Sequence, residues 1–296
     1  MKYITLLAVS TLLASCKDNE IFEREMYKNV VALISSNYYN TFQEVVPLTG
    51  EEVTGYIAAS VGGTDAPSKD MSIPLELDTA QLRIYNRSLF DGDEKLYARL
   101  LPAEKYEISD YNIHIKAGER TGRTLVKLRP DGLSPDSTYF IGLKAGNTAG
   151  IEITEKKRTI LYQVVIKNAY ASQAENAFYS MSGMVNEMVT AGNKKLFPLT
   201  SNSVRVIAGT ESFESKVDHI QKTAIILEMN PAGNITIKPY KNIKVTQIDG
   251  DERYPNSFRV EESYGRKFNV FLLSYEYVIN GAKKRMQEEL RLEIKP

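Results

Sequence analysis

Few residues of this chain stand where chemistry could be done with them. The two histidines, His114 and His219, lie far apart in the sequence. His114 alternates with Ile113 and Ile115, which puts it on the polar face of a strand, and His219 follows Asp218 in a charged stretch. Two distant imidazoles cannot build a histidine-rich zinc site. No Gly-x-Ser-x-Gly elbow and no phosphate-cradling glycine loop occurs. One acidic tetrapeptide appears twice, as Asp91-Gly92-Asp93-Glu94 and Asp249-Gly250-Asp251-Glu252. Its oxygens are of the kind calcium takes. Neither copy has the spacing of a calcium loop, and Asp-Gly forms turns in its own right, so both read as turns. Glycoside cleavage needs two carboxyl groups facing each other across a cleft, and the spacing of the acids points to no such pair. The expectation is no catalytic residue, no metal and no cofactor, hence not an enzyme. Aromatic surface, by contrast, is plentiful: eighteen tyrosines and ten phenylalanines, with no tryptophan. A sugar ring binds to a flat aromatic face beside a few fixed polar groups. Outside the clear strand faces the candidates are Tyr170, Phe178, Tyr179, Tyr240, Tyr254 and Tyr264. Each of these reads first as core or edge packing.

The single cysteine is the most specific signal. After Met1-Lys2, residues Ile4 to Ala14 form an uncharged, mostly apolar run. It has the length of a signal-peptide core and is too short to cross a bilayer, which takes about 20 residues as a helix. The run ends in Leu13-Ala14-Ser15-Cys16, which resembles the bacterial lipobox. That resemblance implies a signal peptide over residues 1–15 and a lipid-bearing Cys16, with palmitate-type chains that bury about 0.8 kcal/mol per methylene in the membrane. Lys17-Asp18-Asn19-Glu20 resembles the surface-export signal of Bacteroides-type lipoproteins. The expected location is the cell outer membrane, surface-exposed and held by lipid only. With Cys16 lipidated, no thiol remains for a disulfide. Charge is balanced, 37 basic against 37 acidic residues, which leaves no electrostatic footprint for nucleic acid.

The elements that must position these residues are strands. Short β-branched and aromatic runs recur between Gly, Pro, Asn and Asp turns, which reads as all-β. In the first half the expected strands are Val30–Ile34, Val53–Ser60, Ser72–Asp78, Asn112–Lys116, Thr124–Leu128 and Tyr139–Lys144, with a helical or irregular crossover from Asp78 to Phe90. That count suits an immunoglobulin-like sandwich. Leu133-Ser134-Pro135-Asp136-Ser137-Thr138-Tyr139 resembles a tyrosine corner, whose hydroxyl bonds back to upstream backbone. The charged break Glu155-Lys156-Lys157-Arg158 divides residues 27–157, the sandwich, from residues 158–296, a second antiparallel β-domain, with 16–26 a linker. In the second half Ile160–Lys167 is a strand, and Thr223–Glu228 pairs with Ile235–Lys238 around Pro231-Ala232-Gly233-Asn234. Phe271, Leu273, Tyr275, Tyr277 and Ile279 alternate up to an Asn280-Gly281 turn. On the return, Met286, Leu290, Leu292 and Ile294 share one face, and Arg285, Gln287, Glu289, Arg291 and Glu293 share the other. The pattern predicts a half-buried sheet in a sandwich or a lipocalin-like barrel.

Ile73-Pro74-Leu75-Glu76-Leu77-Asp78, Tyr85-Asn86, Leu101-Pro102-Ala103-Glu104-Lys105-Tyr106 and Ile115-Lys116-Ala117-Gly118 together resemble a domain of unknown function in Bacteroides-type lipoproteins. The same domain stands at the N-terminus of some secreted endo-β-N-acetylglucosaminidases. Gly132-Leu133-Ser134-Pro135 through Asn168-Ala169-Tyr170 continue the resemblance, and Phe271-Leu272-Leu273-Ser274-Tyr275-Glu276-Tyr277 resembles the second unknown-function domain that commonly follows. Where the family would carry Gly-x-Tyr, this chain reads Ala177-Phe178-Tyr179. The acidic catalytic run of the endoglycosidases is absent. The resemblance implies a glycan-binding accessory of a polysaccharide-utilisation system. Its partners would be an oligosaccharide or polysaccharide, and an outer-membrane glycan importer with its lipoprotein partner. The alternative is a structural or adhesive, fimbrial-type lipoprotein subunit.

Overall fold

The structure, a computed structural model, describes residues 28–147, 150, 152–174, 176–213 and 216–294. The signal segment, Cys16 and Lys17-Asp18-Asn19-Glu20 lie outside the described residues. Among those described, no helix is long and apolar enough to cross a membrane.

The first domain contains β1 (Val30–Leu33), β2 (Thr41–Pro47), β3 (Val53–Gly62), β4 (Met71–Leu77), α1 (Ala80–Phe90), β5 (Arg99–Leu100), β6 (Tyr106–Ile108), β7 (Asn112–Ile115), β8 (Thr121–Leu128), β9 (Tyr139–Ala145), β10 (Glu152–Ile153) and β11 (Thr159–Lys167). One sheet runs β10-β1-β3-β8-β6, and the other runs β2-β11-β9-β4-β7 with β5 beside β9. Most neighbours are antiparallel, but β1 is parallel to β10, β2 to β11 and β5 to β9. Alternation decides which sheet face is core: in β3, Ile57, Ala59 and Val61 are buried and meet Ile73, Ile141 and Val164 of the opposite sheet. Each buried isoleucine or valine among them contributes about 1.5–3 kcal/mol. The helix α1 covers the outer face of the second sheet, with Leu82 against Phe140 and Leu161. Its buried Asn86 is pinned to Ala98 by two hydrogen bonds, Nδ2 to the carbonyl at 2.9 Å and the amide to Oδ1 at 2.8 Å. Covered on both faces, β11 shows no alternation, which is what its run of apolar residues requires.

The hydrogen bonds of β11 go to β2 and β9 of the first sandwich, and Ile160, Tyr162, Val164 and Ile166 sit in its core. The packed boundary therefore follows Lys167, beyond the charged break. Glu155–Lys157 is one short 3₁₀ turn leading into that strand. The Tyr139 hydroxyl accepts from the Ser134 amide at 3.4 Å, a long bond that closes the corner in the expected place.

The second domain contains β12 (Tyr179–Val185), β13 (Met188–Lys194), β14 (Phe197–Thr200), β15 (Ser203–Ile207), α2 (Val217–Thr223), β16 (Ala224–Met229), β17 (Ile235–Pro239), β18 (Lys244–Gln247), β19 (Ser257–Ser263), β20 (Arg266–Ile279) and β21 (Ala282–Ile294). A sheet β13-β12-β21-β20-β18, with β19 also on β20, faces a sheet β14-β15-β16-β17. Phe271, Leu273 and Tyr275 of the first pack against Val206, Leu227 and Ile237 of the second. Of the two expected forms this is the sandwich. Asn280 and Gly281 have φ of +51° and +79°, as a type I′ turn demands, and hold a ladder from Lys267–Ile294 to Ile279–Ala282.

Two details differ from the half-buried sheet. The outer face of β20 is covered in its middle, where Val270 and Leu272 pack under Tyr254. On the inner face of β21, between Met286 and Leu290, stands Glu288, fully buried.

Candidate functional site

The turn after β11 builds a cleft. The Asn168 carboxamide accepts from the amides of Tyr170 and Ala171 at 3.0 and 2.9 Å, and donates to the carbonyls of Thr200 and Ser203 at 2.7 and 2.9 Å. All its hydrogen-bonding capacity is spent on holding this turn against β14 and β15. Tyr170 is turned edge-on to Phe258 at 4.8 Å, and its carbonyl accepts from the Tyr179 hydroxyl at 2.7 Å. The Asn168-Ala169-Tyr170 and Ala177-Phe178-Tyr179 segments thus meet. Between them and the end of β21 opens a cleft of about 870 Å³, lined by Tyr170, Asn176, Phe178, Tyr179, Asn269 and Leu292 among others. Phe178 is 47% exposed on its wall, whereas Tyr179 is 1% exposed and forms floor and core. Burial raises the Tyr179 pKa far above the usual tyrosine value, so it serves as a neutral donor. The Ser172 hydroxyl, also in the lining, is buried with no hydrogen-bond partner among the described residues. Tyr264, fully exposed with φ of +51°, tips the hairpin whose Arg266 pairs at 3.6 Å with Glu293, another lining residue.

Tyr240 lies elsewhere, between the domains. Its hydroxyl donates to Asp136 Oδ2 at 2.7 Å, and Asp136 Oδ1 pairs at 2.6 Å with Arg205, which is 1% exposed. The Arg205 guanidinium lies 4.1 Å from the Phe197 ring centroid. Burial lowers the Arg205 pKa and Asp136 opposes the shift, while burial and the Asp136 hydrogen bond push the Tyr240 hydroxyl up to about 12. Gln173 adds bonds from Nε2 to the carbonyls of Pro135 and Ser137 at 3.0 and 3.2 Å. These contacts fix the Leu133–Tyr139 corner to the second domain and leave an open cleft of about 620 Å³ beside it.

Tyr254 belongs to neither cleft. It is 5% exposed, and its amide donates to Asp251 Oδ1 at 3.0 Å. Asp251 also accepts from Ser274 Oγ at 3.2 Å and from Gln287. Burial works against ionisation of Asp251, but these hydrogen bonds outweigh it and its pKa is lowered. This acidic tetrapeptide is thus a structural turn, and in the other copy Asp93 accepts from the Lys95 amide at the start of a 3₁₀ turn. His114 is exposed beside Asp110 at 3.1 Å, and His219 Nε2 sits 2.7 Å from the Ser212 carbonyl. Among the described residues no three His, Cys, Asp or Glu side chains gather as metal ligands.

The sequence reading missed a buried polar network. Glu288 Oε2 lies 2.5 Å from Lys194 Nζ, and Glu288 Oε1 accepts from Tyr275 at 2.7 Å. The Tyr275 oxygen in turn accepts from the Gly209 amide at 2.7 Å. A Cβ on Gly209 would collide with the Tyr277 ring, so that residue must be glycine for the backbone to reach. Burial drives the Lys194 pKa down and Glu288 pulls it back. The available signal was phase: Glu288 falls in register with Met286 and Leu290.

Two paired family models match the chain, an N-terminal domain over residues 23–152 and the corresponding C-terminal domain over residues 158–291. They divide the chain at the charged break, whereas hydrogen bonding divides it after β11. No curated protein matches. Solved structures share the fold. A protein of unknown function from Bacteroides ovatus is 16% identical with a TM-score of 0.68, covering 94% of this chain and 96% of its own. A multidomain protein including DUF1735 from the same organism is 16% identical with a TM-score of 0.66, covering 89% and 94%. An auxiliary nutrient binding protein from Bacteroides thetaiotaomicron is 14% identical with a TM-score of 0.64, covering 86% and 90%.

Proposed function

The chain belongs to the family defined by these paired N- and C-terminal β-domains, and from that premise we propose that it is a non-catalytic, lipid-anchored glycan-binding accessory at the cell surface. The observation that carries this is the cleft at the head of the second domain, where the exposed Phe178 ring stands beside Tyr170 and Asn176. A ring face with a few polar neighbours fits the apolar face and hydroxyls of a sugar. That a neighbour of the same fold is described as an auxiliary nutrient binding protein supports the reading. The anchor is Cys16, and the partners are an oligosaccharide or polysaccharide and an outer-membrane importer.

A shallow site of this kind gives a Kd of about 10 μM to 1 mM, or roughly −4 to −7 kcal/mol. That is enough when many anchored copies act on one polymer. Calorimetry of the soluble protein against N-glycans, mucin O-glycans and plant polysaccharides, with product analysis, tests it. Phe178→Ala should weaken binding about tenfold while leaving the melting temperature unchanged, since the ring is half exposed. Release of reducing ends would make the protein an enzyme. Polymer formation without glycan binding would favour the fimbrial reading. Against the latter, β21 is already paired on both edges, with β20 and β12.

A further inference from the structure

We propose that the cleft between the two domains is a second saccharide site, selective for a sugar that carries a carboxylate. It goes beyond the cleft at Phe178 and takes from the preceding reading only that the ligand is a glycan.

The argument is one of unspent charge. Among the described residues three cations line this cleft, Lys95, Arg99 and Lys241, against one carboxylate, Asp136. Asp136 is committed on both oxygens, to Arg205 at 2.6 Å and Tyr240 at 2.7 Å, so it neutralises a buried guanidinium and not the cleft. Among the described residues Arg99 and Lys241 pair with no carboxylate, and Lys95 has only Asp218 at 3.9 Å, with both side chains well exposed. A chain of balanced overall charge thus presents a locally positive hollow. Its walls are not bare charge. Phe90 and Tyr97 on one side and Tyr240 on the other supply rings, and Ser137, Thr138 and Gln221 supply neutral polar groups. Arg99 offers a planar fork that matches a carboxylate. Charge-assisted bonds of this kind are about twice as strong as neutral ones, and the rings suit the C–H face of the sugar that bears the acid. The cleft is held open by the bonds of Asp136 to Arg205 and Tyr240 across the domain joint, so little ordering is lost on binding.

The probe is trigalacturonate and its methyl ester, which share a sugar skeleton and differ in charge. Calorimetry at low salt should show the free acid binding about tenfold tighter than the ester, with the advantage shrinking as salt rises. The double variant Arg99→Ala, Lys241→Ala removes two exposed side chains and should keep its melting temperature while losing that advantage. Phe178→Ala should leave it intact. Equal binding of acid and ester overturns the inference, and so does retention of the preference in the double variant. Competition by inorganic phosphate as effective as by the free acid at matched concentration also overturns it, since the site would then take bare anions. If neither form binds and neutral glycans do, only this inference fails. If no saccharide of any charge binds, the glycan reading fails with it.

Discussion

Replacing Glu288 by Gln should expose how the second domain tolerates a buried charge. The change keeps an oxygen for the Tyr275 hydroxyl and removes the carboxylate that faces Lys194. Lys194 then has two options. It can stay charged in a site where its side chain is 6% exposed, and a buried ion stripped of its partner costs about 3–5 kcal/mol. Or it can release its proton. Each pH unit below the ordinary lysine value of about 10.4 makes that release cost about 1.4 kcal/mol, which sets a ceiling of about 4.6 kcal/mol at pH 7. The expected loss at pH 7 is therefore about 3–4.6 kcal/mol, a large share of a typical domain stability. The ceiling moves with pH. In the variant, folded Lys194 holds its proton more weakly than the unfolded chain does, so the unfolded state binds more protons and stability rises with pH. In the natural protein Glu288 holds the same downward shift back, so the deficit relative to it should shrink with rising pH, by at most about 2.7 kcal/mol between pH 7 and pH 9. Urea denaturation at several pH values measures it. Adding Lys194→Met should recover most of the loss, because no buried ammonium remains. A deficit under about 1 kcal/mol at pH 7, or one that does not change up to pH 9, refutes the reasoning.

Three further outcomes follow from other contacts. Asp136→Ala leaves Arg205 unpaired at 1% exposure and should cost about 3–5 kcal/mol, and calorimetry should show the two domains unfolding separately where the natural chain unfolds as one. Tyr139→Phe removes one long bond from the Ser134 amide and should cost about 0.5–1 kcal/mol; an unchanged denaturation midpoint would remove the corner as a stabilising device. Cys16→Ser should abolish metabolic labelling by palmitate, and persistent label on the variant would end the lipoprotein reading.

What could be read from the sequence was periodicity. The hairpin of β20 and β21 is legible because Asn280-Gly281 and the alternating side chains depend only on neighbours. The strands β12, β13, β14 and β15 were not legible. Gly183 and Gly192 interrupt two of them, and Arg205 sits inside a third whose every residue is buried. Burial of Arg205 depends on Asp136, which is distant in sequence, so no local pattern reveals it. The six aromatic candidates show the same limit. Composition and loop placement identified them, but only the fold gathers Tyr170, Phe178 and Tyr179 into one cleft and sends Tyr254 under the outer face of β20. Lys95, Arg99 and Lys241 carry no motif at all, and their meaning comes from the meeting of two domains.

The way β11 ends has a consequence for how such chains can be recombined. The strand belongs to the first sandwich up to Lys167, whose carbonyl accepts from the Leu48 amide at 2.8 Å, and the next residue, Asn168, is already bonded to Thr200 and Ser203 of the second. There is no spacer to cut. A crossover at the charged break would take Ile160, Tyr162, Val164 and Ile166 from the other parent and so pack the first core from two sequences along one strand. A crossover after Asn168 would spare that core, yet still require Asp136 from one parent to find an arginine from the other. The two halves are therefore heritable only as a couple, and swapping them between relatives calls for matching a seam rather than joining two beads.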